Sequence, residues 1–236
     1  MLLKLLEKKR ETPEVESFIF EKPANFEFVA GQYLKFNLEH SQADERGTRR
    51  YFSISATPHE DFLMITTKYI PDTASTFKSQ LNNLSVDETI EAEGPRGEFT
   101  FQDTGETVFI AGGIGITPFR SILLDLDYKN LQPKITLLYS SRTQNILFKQ
   151  LFDEISIRNP NLKIVYTVTE DPNWSGEKSQ IDPDFIKKYV PVLQESIFYV
   201  SGPEPMVEAM GKMLVEMGVP EDHFKQDFFP GYEANA

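Results

Sequence analysis

Along the first hundred residues the apolar positions come in short alternating runs. Val15–Phe20, Gln32–Leu38, Arg50–Ser55, Phe62–Lys68 and Thr89–Glu93 are strand-length and rich in Phe, Ile, Val, Tyr and Thr, with Pro, Gly, Asn and Asp clusters between them. This pattern predicts an antiparallel barrel or sandwich. One interruption has a different period: Asp72-Thr73-Ala74-Ser75 followed by Phe77-x-x-x-Leu81 reads as a capped short helix. After Gln102-Asp103-Thr104-Gly105 the rhythm changes. Strand-like runs at Val108–Ala111, Ile135–Tyr139, Ile164–Val168 and Ile197–Val200 alternate with helical periodicity over Pro118–Tyr128, Ile146–Ile157 and Pro205–Met217, the last closed by Gly218. Alternating β and α implies a parallel sheet with helices on both faces. The expected fold class is two-domain α+β: an antiparallel β-barrel over 1–102, then a Rossmann-like α/β domain over 103–236.

In such parallel sheets ligands bind at the carboxyl ends of the strands. Four small or polar clusters fall there: Gly112–Thr117, Ser140-Ser141-Arg142, Thr169-Glu170 and Ser201-Gly202-Pro203. In Phe109–Phe119 an apolar run ends in Gly112, Gly113 and Gly115, and Pro118 opens a helix. Glycines admit a ligand close to the backbone, and a helix start favours an anion. Gly113-x-Gly115 is half of a dinucleotide fingerprint, with Pro118 where the third glycine belongs. By itself the stretch is a weak signal, with a plain glycine-rich turn as the alternative. Arg50-Tyr51-Phe52-Ser53-Ile54-Ser55 offers a guanidinium, aromatics and hydroxyls, a mixture that suits a flavin, or else a half-buried strand with an exposed Arg. Gly94-Pro95-Arg96-Gly97-Glu98-Phe99 is a turn, and Ser201-Gly202-Pro203-Glu204-Pro205-Met206 a strand-to-helix turn that could touch a nucleotide.

Composition narrows the chemistry. The chain has 236 residues and no cysteine, which excludes disulfides, thiolate metal sites, cysteine nucleophiles and a cysteine-ligated iron–sulfur cluster on it. Lys plus Arg number 24 against 36 Asp plus Glu, a net charge of −12 that disfavours nucleic acid and anionic lipid. No stretch has the apolar length of a membrane span, and Lys8-Lys9-Arg10 follows the leading leucines, the wrong order for a signal peptide. A cytoplasmic protein is expected. His40, His59 and His223 lack metal-ligand spacing and read as surface residues, so no metal is expected.

The order of the motifs carries more than any one of them. R-x-F-S at Arg50–Ser53, a helix start at Ser75, G-P-x-G-x-F at Gly94, G-G-x-G-I-T-P at Gly112 and S-G-P-x-x-M at Ser201 resemble the ferredoxin–NADP reductase superfamily, and more closely its flavin reductases that feed oxygenases and ferredoxins. The resemblance spans nearly the whole chain. It implies an FAD-binding barrel followed by an NAD(P)-binding α/β domain, and an NAD(P)H-dependent flavin oxidoreductase. It further implies that Arg50 holds the flavin pyrophosphate, with Tyr51 beside it, Phe52 against the ring and Ser53 near flavin N5. Thr66, Thr67 and Lys68 border the flavin, and Ala74, Ser75 and Thr76 offer helix-start amides to its phosphates. Thr117 falls between flavin and nicotinamide, with Ser53, Thr117 and Ser201 as the catalytic set. Gly112, Gly113, Gly115, Ser140, Ser141, Arg142, Glu170, Gly202, Pro203 and Met206 border the nicotinamide coenzyme, and Tyr232 covers the other flavin face. Phe52 replaces the family's usual Tyr, and Ser201 stands where many members have Cys. No ferredoxin domain accompanies these motifs, so the acceptor is expected to be a separate redox protein or small molecule. A reductase of free flavin, ferric complexes or quinones, and a non-catalytic nucleotide-binding subunit, are the alternatives. Arg142 would favour a 2′-phosphate and Glu170 repel it, and the balance leans to NADH over NADPH.

Overall fold

A computed structural model of the protein describes residues 1–231. Its first half is an antiparallel sheet of β1 (Leu2–Thr12), β2 (Val15–Glu21), β3 (Tyr33–Asn37), β4 (Arg49–Ser53), β5 (Phe62–Lys68) and β6 (Thr89–Arg96), in the order β4-β3-β6-β1-β2-β5. Beyond the end of β4 the Ser55 amide donates to the Met64 carbonyl of β5 at 2.7 Å, drawing the two edges together as a barrel requires. Alternate residues fill the interior: Leu3 and Leu5, Phe18 and Phe20, Leu34 and Phe36 are all essentially inaccessible to solvent. The helix α1 (Thr76–Asn83) plugs one end with Phe77 and Leu81, and Ser75 caps it by accepting from the Lys78 amide at 3.3 Å. The leading residues, which the hydrophobic runs above pass over, form the longest strand. Its Lys8-Lys9-Arg10 continues the ladder against Phe18, Ser17 and Glu16.

The second half is a five-stranded sheet of β7 (Thr107–Gly112), β8 (Ile135–Ser141), β9 (Leu162–Val168), β10 (Ile197–Pro203) and β11 (Phe224–Phe229), in the order β11-β10-β7-β8-β9 with every neighbouring pair parallel. Phe109 and Ala111 of β7 join one core with α2 (Thr117–Tyr128) and α3 (Lys149–Arg158). Val108 and Ile110 join the opposite one with α4 (Pro183–Tyr189) and α5 (Glu204–Glu216). Helices therefore cover both faces, as the β/α alternation predicts. Helix α3 starts three residues later than the periodicity suggests, because Phe148 has the left-handed φ of 60°. Helix α4 and strand β11 have no counterpart in the sequence reading.

The halves share a core. Ala30 and Phe99 pack with Phe109, Phe119 and Tyr199, with the Phe99 and Tyr199 rings 5.4 Å apart. Helix α2 also grips the β4–β5 connection: Ser121 Oγ donates to the Ala56 carbonyl at 2.6 Å, and Arg120 donates to the Ser55 carbonyl and pairs with Glu60 at 3.1 Å. His59 is part of this seam rather than a free surface residue, stacked on Tyr128 at 3.8 Å and 2.9 Å from Asp125. Among the described residues no helix is long and apolar enough to cross a membrane.

Candidate active site

Where the halves meet there is a cavity of about 330 Å³. Strand β4 lines it with Arg50, Tyr51, Phe52 and Ser53, and β5 with Thr66 and Thr67. From the α/β half come Ile114 of the glycine turn, Thr117 at the head of α2, and β11 with the residues just after it, including Asp227 and Phe228. Tyr51 is 59% exposed at the mouth, whereas Arg50 is only 5% exposed. The half-buried-strand reading therefore holds, but its exposed arginine is corrected: the guanidinium lies 5.5 Å from the Phe77 ring centroid. Phe52 also packs on Phe36 and Phe77. The Thr66 hydroxyl is 2.8 Å from that of Ser17, inside the barrel.

Asp227, which the motif reading did not single out, is the one carboxylate on this cavity among the described residues. Ser53 Oγ donates to its Oδ2 at 3.3 Å and Ser201 Oγ at 3.5 Å. Burial pushes the Asp227 carboxyl up to about 7, against the opposing pull of the two serines. Its signal in the sequence is a lone acid inside Phe224-Lys225-Gln226-Asp227-Phe228-Phe229, an aromatic run short enough for an edge strand. Ser201 itself is fully buried, so its hydroxyl meets Asp227 instead of standing open beside a coenzyme.

A second cleft, of about 380 Å³, lies at the carboxyl ends of β7, β8, β9 and β10. Gly112, Gly113, Ser140, Ser141, Arg142, Glu170, Pro203 and Met206 all line it. Lys68 joins Gly113, Ile114 and Arg142 around a smaller recess of about 200 Å³ between the two spaces, and pairs with Glu14 at 3.1 Å. Arg142 and Glu170 are partners, with Nε and Nη2 each 3.0 Å from Glu170 Oε2.

The three glycines of the turn divide by role. A Cβ at Gly112 would lie 2.1 Å from Met206 Sδ, and one at Gly115 2.2 Å from the Ser201 carbonyl oxygen. Packing against β10 and α5 uses the smallness of both; Gly115 does not line the second cleft, while Gly112 still does. Gly202 belongs to the same contact, close against Gly112. Gly113 differs, with φ +52° and no atom within 4 Å of where a Cβ would be. The buried Tyr139 hydroxyl donates to its carbonyl at 3.2 Å. At the start of α1, Ser75 is spent on its cap and the Thr76 amide donates to Asp44; neither Ala74, Ser75 nor Thr76 lines the first cavity, which α1 reaches through Lys78. Tyr232 lies outside the described residues. Among the described residues no cluster of His, Asp and Glu could hold a metal ion.

These spaces fit the expected cofactors: aromatic rings, hydroxyls and a buried arginine whose Nε has no partner line the first, and a glycine turn with an adjacent charged pair the second. Residues 2–101 match the oxidoreductase FAD-binding domain family, and residues 109–212 the oxidoreductase NAD-binding domain family. NADH-cytochrome b5 reductase 1 of Candida albicans is 38% identical over 142 residues, 57% of this chain and 48% of that protein. One of the subunits of the Na(+)-translocating NADH-quinone reductase of Yersinia pseudotuberculosis is 29% identical over 231 residues, 90% of this chain and 56% of that one. The chain thus spans about half the length of these curated relatives. The solved structure of a ferredoxin NADP+ reductase from Neisseria gonorrhoeae, with bound FAD and NADP, has the same fold, with a TM-score of 0.80 at 21% identity over 98% of both chains. With an FAD-binding half and an NAD-binding half both matched, in that order and on that fold, the chain belongs to the ferredoxin reductase-like superfamily of FAD- and NAD(P)-binding oxidoreductases.

Proposed function

We propose that the protein moves a hydride from NADH to FAD and passes the electrons to a separate acceptor, a redox protein or a small molecule. The observation that carries this reading is the meeting of the R-x-F-S strand, Thr117 and Asp227 on one cavity, with the glycine turn between it and the second cleft. Residues 1–102 hold FAD and residues 103–236 the coenzyme. FAD, when bound, supplies a hydride acceptor that can release electrons singly or in pairs.

The chain's own work is positioning, with little acid–base chemistry. Tyr51 and Phe52 give the ring an apolar wall, and Ser53 and Thr117 offer hydroxyls from opposite halves of the molecule. The Asp227 carboxyl can gain or lose a proton near neutral pH, beside the Ser53 hydroxyl that donates to it. In the second cleft Gly113 lets the coenzyme approach the backbone, and Tyr139 holds that turn in place. The Arg142–Glu170 pair favours NADH: a 2′-phosphate would have to break the pair and then lie beside a carboxylate. Both curated relatives described above are NADH enzymes by name, one acting on cytochrome b5 and one in quinone reduction, which makes a one-electron haem protein and a quinone the first acceptors to try. We place the activity in the cytoplasm.

The test is the visible spectrum of the purified protein under anaerobic conditions. A flavin spectrum that bleaches on addition of NADH, and more slowly with NADPH, is expected. A colourless protein that takes up no added flavin refutes the reading.

A further inference from the structure

A buried guanidinium without a counter-charge is costly, and Arg50 is surrounded by the loop 38–48 and the first residue of β4. Its Nη1 donates to the carbonyls of Arg46, Gly47 and Arg49 at 2.9, 2.8 and 2.8 Å. Its Nη2 donates to both carboxylate oxygens of Asp44, at 2.6 and 2.8 Å. Asp44 also reaches the head of α1. Its Oδ2 accepts from the Thr76 amide and the Thr76 hydroxyl, each at 3.2 Å, and its Oδ1 from the Arg46 amide at 3.0 Å. Burial alone would raise this carboxyl, but the hydrogen bond and charge of Arg50, with help from Arg46 and Thr76, hold it below the usual carboxylate range. Asp44 is therefore a fixed anion at neutral pH.

One carboxylate thus collects an arginine fork, a helix-start amide and a hydroxyl. That is the donor set a phosphate uses. These are also the groups, Arg50 and Thr76, that the motif reading assigns to the flavin pyrophosphate. Of the Arg50 nitrogens only Nε, buried and without a partner, is left to a ligand in the cavity that Arg50 lines.

We propose that Asp44 is a built-in competitor for the phosphates of FAD: its carboxylate and the cofactor's diphosphate take Arg50 and the head of α1 in turn, and the 38–48 loop swings aside to admit the cofactor. This rests on the flavin reading above. The doubly charged diphosphate outcompetes a single carboxylate, while the carboxylate keeps Arg50 neutralised between cofactor molecules. Asp44 then sets how tightly and how fast the flavin binds, and makes it exchangeable.

The experiment strips flavin from the full-length protein and follows rebinding by flavin fluorescence, with FAD and with riboflavin, which has no phosphate. Asp44→Asn is expected to bind FAD about tenfold or more tighter than wild type, with riboflavin affinity unchanged. An unchanged FAD affinity overturns the proposal, as does an equal gain for riboflavin. A weaker FAD affinity also overturns it and makes Asp44 a positioning residue for Arg50. If neither protein takes up any flavin, the flavin reading itself falls. Should the variant not fold, the wild type decides: its FAD association rate levels off with concentration at the rate of loop opening, and a strictly linear dependence overturns the proposal.

Discussion

Replacing Asp227 with Asn removes a pH dependence that the wild type carries in its folding stability. An ordinary aspartate titrates near 3.8, and Asp227 near 7 in the folded chain, because burial penalises its charged form. Below the unfolded value both states are protonated and the group has no effect. As pH rises towards 7 the unfolded chain ionises while the folded one stays neutral, so stability falls, and above 7 it levels off. The full separation is worth about 4 kcal/mol at 1.36 kcal/mol per pH unit. Water admitted by the cavity screens part of it, leaving about 2–4 kcal/mol. Asn keeps the shape and an acceptor for Ser53 and Ser201 but does not titrate. Urea denaturation of the flavin-stripped proteins at half-unit steps from pH 4 to 8 is the assay. The wild type is expected to lose ground to Asp227→Asn steadily between about pH 4 and 7 and then run parallel to it. Two curves parallel across the whole window refute the burial argument.

Three further substitutions probe the rest of the site. Gly113→Ala meets no neighbouring atom, so it costs only the left-handed backbone, about 1–2 kcal/mol in denaturation, while a methyl in the coenzyme's path slows flavin reduction in stopped flow; wild-type reduction would place the coenzyme elsewhere. Arg50→Ala leaves the Asp44 carboxylate with three of its five hydrogen bonds and is expected to cost about 3 kcal/mol of stability before any cofactor is added, so a variant as stable as wild type would contradict the pairing. Glu170→Arg removes the carboxylate partner of Arg142 and should raise the NADPH-to-NADH ratio of kcat/KM by about tenfold or more; an unchanged ratio would clear Glu170 of any part in coenzyme choice.

The architecture is legible in the chain because its two periods differ. Alternation builds the barrel and the β/α rhythm builds the sheet, and neither depends on distant residues. Strand β1 is harder to see: Leu3 and Leu5 point inward but Leu2 and Leu6 are exposed, so the leucine cluster hides its alternation. Strand β11 is hidden differently, since Lys225, Gln226 and Asp227 dilute an edge strand whose partners lie elsewhere. The site divides along the same line. Residues placed by local motifs, such as Arg50, Ser53, Thr117 and Arg142, do face the two spaces. What a motif cannot give is the long-range partner: Ser53 and Asp227 stand 174 residues apart, and only the assembled fold brings them together. Gly115 shows the opposite limit, where a glycine that looks made for a ligand is needed against the Ser201 carbonyl instead.

The grip of α2 on the β4–β5 connection has a consequence for how the molecule comes apart. The helix that begins at Thr117 also holds Ser55, Ala56 and Glu60, and Phe99 completes an aromatic cluster with Phe119 and Tyr199. Neither half can loosen without opening the apolar face of the other. Heating is therefore expected to give a single calorimetric peak, and either half expressed alone would present its seam as a sticky surface. Recombining such halves between distant relatives would succeed only where the seam is carried over with them.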